Sequence, residues 1–222
     1  MISLIIPTYN ERENVTSLVA RIEKIVKQKH EIIFVDDNSP DGTAAVIHAI
    51  VKNNKNVRLV TRKEKAGLAS AVLAGFKASQ GSIIVVMDAD LSHPMVIVPQ
   101  LVEEIEKGAD IVVAGRYIKG GGTKSWPIHR KIISSGATAI AKIVLSIDIS
   151  DPLSGFFAVK RSCFEKMRFR IKGYKILLNV LTDNRKAVVK EVPFVFEDRK
   201  TGKSKLSLNE IVFFIKDVKQ LL

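Results

Sequence analysis

Cysteine, aromatic residues and long apolar runs are all scarce in this chain, and each shortage removes a class of explanation. Cys163 is the single cysteine in 222 residues, so no intrachain disulfide or cysteine-rich metal site can form, which suits a reducing compartment. A lone cysteine reads as a small buried apolar residue rather than a nucleophile. No apolar run reaches the ~18–20 residues that cross a bilayer. Any membrane contact is therefore expected at the surface, through an anchoring subunit, or through a transmembrane region removed from the chain. Met1 leads straight into a strand-like pattern without a basic leader and cleavage site. No Gly-x-Gly-x-x-Gly follows a strand and no Walker loop occurs, which disfavours dinucleotide and P-loop chemistry.

Positive charge, by contrast, is in excess. The balance of 35 Lys+Arg against 23 Asp+Glu leaves +12, enough to imply an anionic partner such as nucleic acid, anionic lipid or a phosphorylated ligand. Charge alone leaves a basic nucleic-acid-binding module open. Against it stand an aromatic content of 6% and the absence of zinc spacing, an RNA-binding aromatic signature or a helix-turn-helix pattern.

Short β-branched runs alternate with helical periodicity through the first half. Ile2–Ile6, Ile32–Val35, Val57–Thr61, Ile83–Met87 and Ile111–Ala114 read as buried strands. The first helix is expected from Asn10 as N-cap, with Val15, Leu18, Val19, Ile22, Ile25 and Val26 on one face. Later helices are expected to open at Ser39-Pro40 and His93-Pro94. This order predicts one α/β domain over 1–222, a mostly parallel sheet flanked by helices. After Gly120-Gly121-Gly122 and Trp126-Pro127 come two amphipathic segments, 127–146 and 207–222. In the second, Leu208, Ile211, Val212, Ile215, Val218 and Leu222 share a face, with Lys216, Asp217, Lys219 and Gln220 opposite. Phe213 and Phe214 widen that apolar face as a helix lying in a bilayer interface requires.

Ligands of open α/β sheets bind outside the carboxyl ends of the strands. Those ends here carry Pro7-Thr8-Tyr9-Asn10-Glu11, Asp36-Asp37-Asn38-Ser39, Asp88-Ala89-Asp90 and Gly115-Arg116-Tyr117. Two carboxylates two residues apart on extended backbone point to one side, where Mg²⁺ or Mn²⁺ with oxygen ligands can be held against a diphosphate. Asp37 could accept from a nucleobase or ribose, with Pro7 and Tyr9 walling the base and Asp36 capping local backbone. Arg116 and Arg130 suit phosphate through their planar donor forks. Asp151 reads as a cap or, in principle, a base.

In sequence order, Ile5-Ile6-Pro7-Thr8-Tyr9-Asn10-Glu11-Arg12-Glu13-Asn14, Val35-Asp36-Asp37-Asn38-Ser39-Pro40-Asp41-Gly42-Thr43 and Met87-Asp88-Ala89-Asp90-Leu91-Ser92-His93-Pro94 resemble the inverting GT-A glycosyltransferases of family 2. Within that family they resemble the dolichol-phosphate mannose synthases. The match continues through Gly115-Arg116-Tyr117, Arg130-Lys131-Ile132-Ile133-Ser134, Asp151-Pro152-Leu153-Ser154-Gly155-Phe156-Phe157, Gly173-Tyr174-Lys175, Glu191-Val192-Pro193 and Arg199-Lys200-Thr201-Gly202-Lys203-Ser204-Lys205-Leu206.

The resemblance implies a Rossmann-like GT-A fold with carboxyl-terminal interface helices, and mannosyl transfer from GDP-mannose to dolichyl or other polyprenyl phosphate. UDP-glucose is the alternative donor. It implies a nucleotide-sugar site of Pro7, Tyr9, Glu11, Val35, Asp37, Gly67, Asp88, Ala89, Asp90, Arg199 and Lys205. Asp88 and Asp90, with Ser92 as a further candidate, would hold the divalent cation, while Arg116, Arg130 and Ser134 would receive the lipid phosphate. Asn179 stands where relatives commonly carry an acidic residue. The expected place of work is the cytoplasmic side of a membrane, held peripherally, with no nucleic-acid partner.

Overall fold

Strands β1 (Ile2–Thr8), β2 (His30–Asp36) and β4 (Ile83–Val86) are buried on both faces because helices cover both faces of their sheet, and the edge strand β3 (Val57–Thr61) is only partly buried. Successive side chains alternate, so Leu4 and Ile6 enter one core layer and Ile5 the other. The computed structural model describes every residue except 66, 125, 171, 172, 174, 198–207 and 222, with only the backbone for 208–213.

Helices α1 (Arg12–Ile25), α2 (Thr43–Asn53), α3 (Leu68–Ala78) and α4 (Ile97–Glu106) connect the strands up to β5 (Ile111–Gly115). The remaining elements are β6 (Gly122–Lys124), α5 (Ile128–Leu145), β7 (Phe157–Lys160), α6 (Arg161–Glu165), α7 (Ile176–Asp183), β8 (Val189–Pro193), β9 (Val195–Glu197) and α8 (Leu208–Leu221). The main sheet runs β3-β2-β1-β4-β7-β5-β8, and a small parallel sheet pairs β6 with β9. Within the main sheet β7 alone is antiparallel to its neighbours, so the expected mostly parallel sheet is observed. α3 approaches that sheet closely at Gly75, where an added Cβ would stand 2.5 Å from Ile5 Cγ2.

Three helix starts differ from the sequence expectation, each for a local reason. Asn10 is not an N-cap: its backbone lies at φ 61°. The amides of Glu11 and Arg12 are instead satisfied by Thr43 Oγ1 at 2.9 Å and Asp41 Oδ2 at 3.1 Å, across the α1–α2 groove. Ser39-Pro40 is a turn rather than a helix start, because Ser39 spends both its amide and its hydroxyl on Asp36, at 2.9 and 2.6 Å. α2 begins only after Gly42, at φ 88°. The helix expected from His93-Pro94 starts at Ile97, since the His93 ring is drawn back onto the backbone of Asp88.

The two carboxyl-terminal helices form as the periodicity predicts, with altered faces. α8 buries Asp217, Val218 and Leu221 and leaves Ile215 60% exposed, so Asp217 does not lie on the solvated face and Ile215 does not pack inward. The side chains of Leu208, Ile211, Val212 and Phe213, and Leu222 itself, lie outside the described residues. α5 buries only Thr138, Ala141 and Leu145. Ile128, Ile132, Ile133, Ile140, Ile143 and Val144 stay exposed, Ile143 to 79%. Asn179 is fully buried and structural: its amide accepts from Arg170 N at 3.0 Å and donates to Arg168 O at 3.0 Å, holding that segment onto α7.

Candidate active site

A cleft of about 650 Å³ opens over the carboxyl ends of the central strands. Its lining unites Pro7, Tyr9, Glu11, Asp37 and Gly67 on one side with Asp88, Ala89 and Asp90 on its floor. Arg116, Arg130 and Ser134 stand on the other side. Val35 and Ser92 are not in that lining. Arg199 and Lys205 lie outside the described residues.

The first wall is held by ionic and hydrogen-bonded pairs. Asp37 sits at the end of β2, and Arg62, one residue past β3, grips both its carboxylate oxygens at 2.6 and 2.9 Å. Burial pushes the Asp37 carboxyl above its ordinary value, and the two Arg62 bonds pull it only part of the way back. Arg62 Nη1 also donates to Ser70 Oγ at 2.7 Å, whose hydroxyl donates to Gly67 O at 2.8 Å. One guanidinium thus ties the loop after β2 to the start of α3. The Lys65 ammonium lies 4.1 Å over the Tyr9 ring. Val35 is fully buried, and a Cβ added at Gly75 would meet its Cγ2 at 3.0 Å, so its side chain packs under α3 and only its backbone borders this region.

At the centre the chain leaves β4 at Val86 and bends at Ala89 and Asp90, with the Ala89 side chain packed in the core and Asp88 and Asp90 lining the cleft. Leu91 takes φ 61°, and the resulting turn lets Ser92 donate to Asp90 Oδ1 from its amide at 3.1 Å and its hydroxyl at 2.5 Å. Ser92 is 2% exposed. It thus orients Asp90 from behind, outside the lining of the cleft.

His93 Nδ1 accepts the Asp88 amide at 3.1 Å, which leaves the proton on Nε2, 3.7 Å from Asp88 Oδ2. The ring stacks on Phe156 with centroids 4.8 Å apart, and its burial lowers the imidazole pKa, keeping it neutral. Two hard carboxylates backed by such donors fit a divalent cation of the Mg²⁺ kind, which takes one or two protein carboxylates and completes its shell with substrate phosphates and water. Among the described residues no cluster of three or more His, Cys, Asp or Glu side chains offers a fuller protein cage.

On the far wall the Arg116 fork already has a carboxylate partner: Nε and Nη2 clasp Asp151 at 2.7 and 2.8 Å, and the Arg116 amide adds a third bond at 3.0 Å. Asp151 is fully buried and is the partner of Arg116, neither a helix cap nor a base. Burial alone would lower the Arg116 pKa, but the Asp151 carboxylate outweighs it and raises it. Arg130 stacks 4.1 Å over Trp126 and lies 6.0 Å from the Phe196 ring centre. Ser134 accepts the Tyr117 hydroxyl at 2.8 Å. Beyond these the lining becomes apolar, with Ile133, Ala137 and Ile140 of α5 facing Phe214, Ile215 and Val218 of α8.

Sequence reasoning missed Arg62, Lys65, His93, Trp126, Asp151 in its pairing role, and Asp217 as residues that build the cleft. His93 and Asp151 were visible inside the motifs, but nothing in spacing says which charge pairs with which.

Residues 3–168 match the family model described as glycosyl transferase family 2. The dolichol-phosphate mannosyltransferase of Pyrococcus furiosus is 42% identical over 224 residues, which cover 100% of this chain and 63% of that protein. This chain therefore spans 63% of that relative's length. The Saccharomyces cerevisiae protein of the same name is 39% identical over 232 residues, covering 99% of this chain and 86% of its own. The polyprenol monophosphomannose synthase of Mycolicibacterium smegmatis is 38% identical, covering 94% and 82%. Among solved structures, glucosyl-3-phosphoglycerate synthase from Mycobacterium tuberculosis, in complex with Mn²⁺, UDP-glucose and glycerol 3-phosphate, superposes with a TM-score of 0.74 at 21% identity. That match covers 100% of this chain and 79% of that one, and what it establishes is the shared fold.

Proposed function

Because the chain belongs to glycosyl transferase family 2, we propose that it moves mannose from GDP-mannose to the phosphate of a dolichyl or other polyprenyl phosphate. The observation that carries this reading is one continuous cleft that joins a polar wall suited to a nucleoside, a pair of aspartates and an apolar passage between α5 and α8. The relatives named for dolichol-phosphate and polyprenol substrates support the acceptor class.

In this reading Tyr9 and Pro7 flank the base and Asp37, oriented by Arg62, accepts hydrogen bonds from the nucleoside. Asp88 and Asp90 hold Mg²⁺ or Mn²⁺, which when bound offsets the negative charge growing on the departing diphosphate. A phosphate monoester, with a second pKa of ~6, is already anionic near neutral pH, so no side chain needs to take a proton from it. Arg130, with Ser134, steers that anion towards the anomeric carbon, while Arg116, neutralised by Asp151, serves the wall more than the phosphate. Direct in-line displacement inverts the anomeric centre and gives a β-linked lipid phosphomannose.

No described helix is long and apolar enough to cross a membrane. The exposed isoleucines of α5, next to Lys131 and Lys142, support helices 127–146 and 207–222 as interface helices. Lying in the headgroup region, they would bring the cleft's apolar end to the prenyl chain, on the cytoplasmic side of the membrane. A donor panel of GDP-mannose, UDP-glucose and UDP-N-acetylglucosamine, each with polyprenyl phosphate and Mg²⁺ or Mn²⁺, tests this. Mannosyl-lipid from GDP-mannose alone is expected. Glucosyl-lipid in its place overturns the donor, and no lipid product from any donor overturns the function.

A further inference from the structure

Trp126 is the one tryptophan in the chain, and its indole N–H is buried without a hydrogen-bond partner. The residue is 8% exposed and lines the cleft. A buried tryptophan ordinarily finds an acceptor for that proton, and a buried orphan donor in a native fold calls for a reason. Packing alone does not supply one. The edge contact with Phe196 at 5.4 Å and the Arg130 guanidinium 4.1 Å over the ring use only the π-face and apolar body, which phenylalanine also has.

The surroundings specify the missing acceptor. The Arg130 guanidinium lies 4.1 Å over this ring, while Arg116, 5.5 Å from it, already has the Asp151 carboxylate as its partner. α5 begins two residues on, at Ile128, with the partial positive charge of a helix start. An anion with several oxygen acceptors fits that setting, and a neutral sugar hydroxyl does not exploit it. Trp126 also stands with Arg130 and Ser134 on the wall facing the apolar passage, across the cleft from Tyr9, Asp37 and Gly67.

We propose that Trp126 is a further acceptor-binding residue, donating its indole N–H to a phosphate oxygen of the lipid monophosphate. The proposal rests on the acceptor reading above and adds to it a donor that is left unsatisfied until the headgroup arrives.

Because the chain has a single tryptophan, biosynthetic replacement by 3-benzothienylalanine changes only this position, substituting sulfur for the N–H while keeping the ring shape. Calorimetric titration with farnesyl phosphate, farnesol and GDP should be run on the wild type, the benzothienyl protein and Trp126→Phe. The expected result is about a tenfold weaker Kd for farnesyl phosphate, equivalent to about 1.4 kcal/mol, in both altered proteins. Farnesol and GDP should bind as before. Unchanged farnesyl phosphate affinity in the benzothienyl protein, or a loss confined to GDP, overturns the role of Trp126. Wild-type protein that binds GDP but no farnesyl phosphate instead overturns the acceptor reading itself. Should Trp126→Phe fail to fold, the near-isosteric benzothienyl protein decides alone.

Discussion

The two walls of the cleft are built by opposite means. On the donor side short loops at strand ends are pinned residue by residue, as Arg62 pins Asp37 at 2.6 Å and Ser70 pins Gly67. On the acceptor side Asp151 grips Arg116 at the sheet end, but beyond that pair two helices present aliphatic side chains and a cation-on-ring stack. A nucleoside has fixed donors and acceptors and rewards a wall whose groups are preorganised, whereas a prenyl chain offers only apolar area and rewards a surface that leaves isoleucines uncovered. Asp88 and Asp90 stand where the two designs meet.

Substitutions at the meeting point and on each wall sharpen that contrast. The largest expected effect is at the centre: Asp88→Ala should cost about 10³-fold in turnover. Its side chain is 40% exposed, so the melting temperature should hold. Activity retained in a metal-dependent assay would show that the two walls do not meet at a cation.

On the donor wall, Arg62→Ala leaves the buried Asp37 carboxylate unpaired and should cost about 3 kcal/mol of stability in denaturant titration, with weaker GDP binding. The pH dependence has a definite sign. A carboxyl whose folded pKa is raised binds its proton more tightly when folded. Its contribution to stability is therefore present at pH below the ordinary carboxylate value and is lost as pH rises through the folded value. Removing Arg62 raises the folded value further and widens that window upward. Asp37→Asn should remove the dependence and restore most of the stability lost in Arg62→Ala. Equal stability of Arg62→Ala and wild type across this range would show that the wall is not held by the pair.

Ser92→Ala removes the hydroxyl that orients Asp90 and should weaken Mn²⁺ binding about tenfold, read by the metal dependence of turnover. The smallest effect belongs to the acceptor wall. Ile143→Ser, at a 79% exposed site, should reduce partitioning onto liposomes about fivefold, or about 1 kcal/mol for partial burial of one side chain. Turnover of a short soluble prenyl phosphate should be unchanged. An equal loss on the soluble acceptor would mean that α5 contributes to chemistry rather than to docking.

Much of this arrangement was legible before any coordinates. The period-two and period-3.6 patterns located β1 to β5, α1, α5 and α8, because residue burial in a layered domain is written directly into apolar spacing. Helix starts were less legible. Asn10, Ser39 and His93 are all residues that cap helices in isolation, yet each is recruited by a neighbour distant enough in sequence or bent back far enough to escape a local reading. β7 (Phe157–Lys160) was missed because its antiparallel insertion between β4 and β5 is a property of topology that apolar spacing does not carry.

What the sequence determined by itself is the alternation of strands and helices, the Asp88-Ala89-Asp90 floor at a strand end and the surplus of positive charge. Tertiary structure alone decided how each charge is partnered. Arg116 and Arg130 are indistinguishable as sequence candidates for a phosphate, but folding buries a carboxylate, Asp151, 2.7 Å from the first and sets an indole face 4.1 Å from the second. The physical reason is that electrostatic and hydrogen-bonding partnership falls off within a few ångströms. Apolar burial depends on which face a residue occupies, which spacing encodes, whereas pairing depends on distances that only the packed elements define.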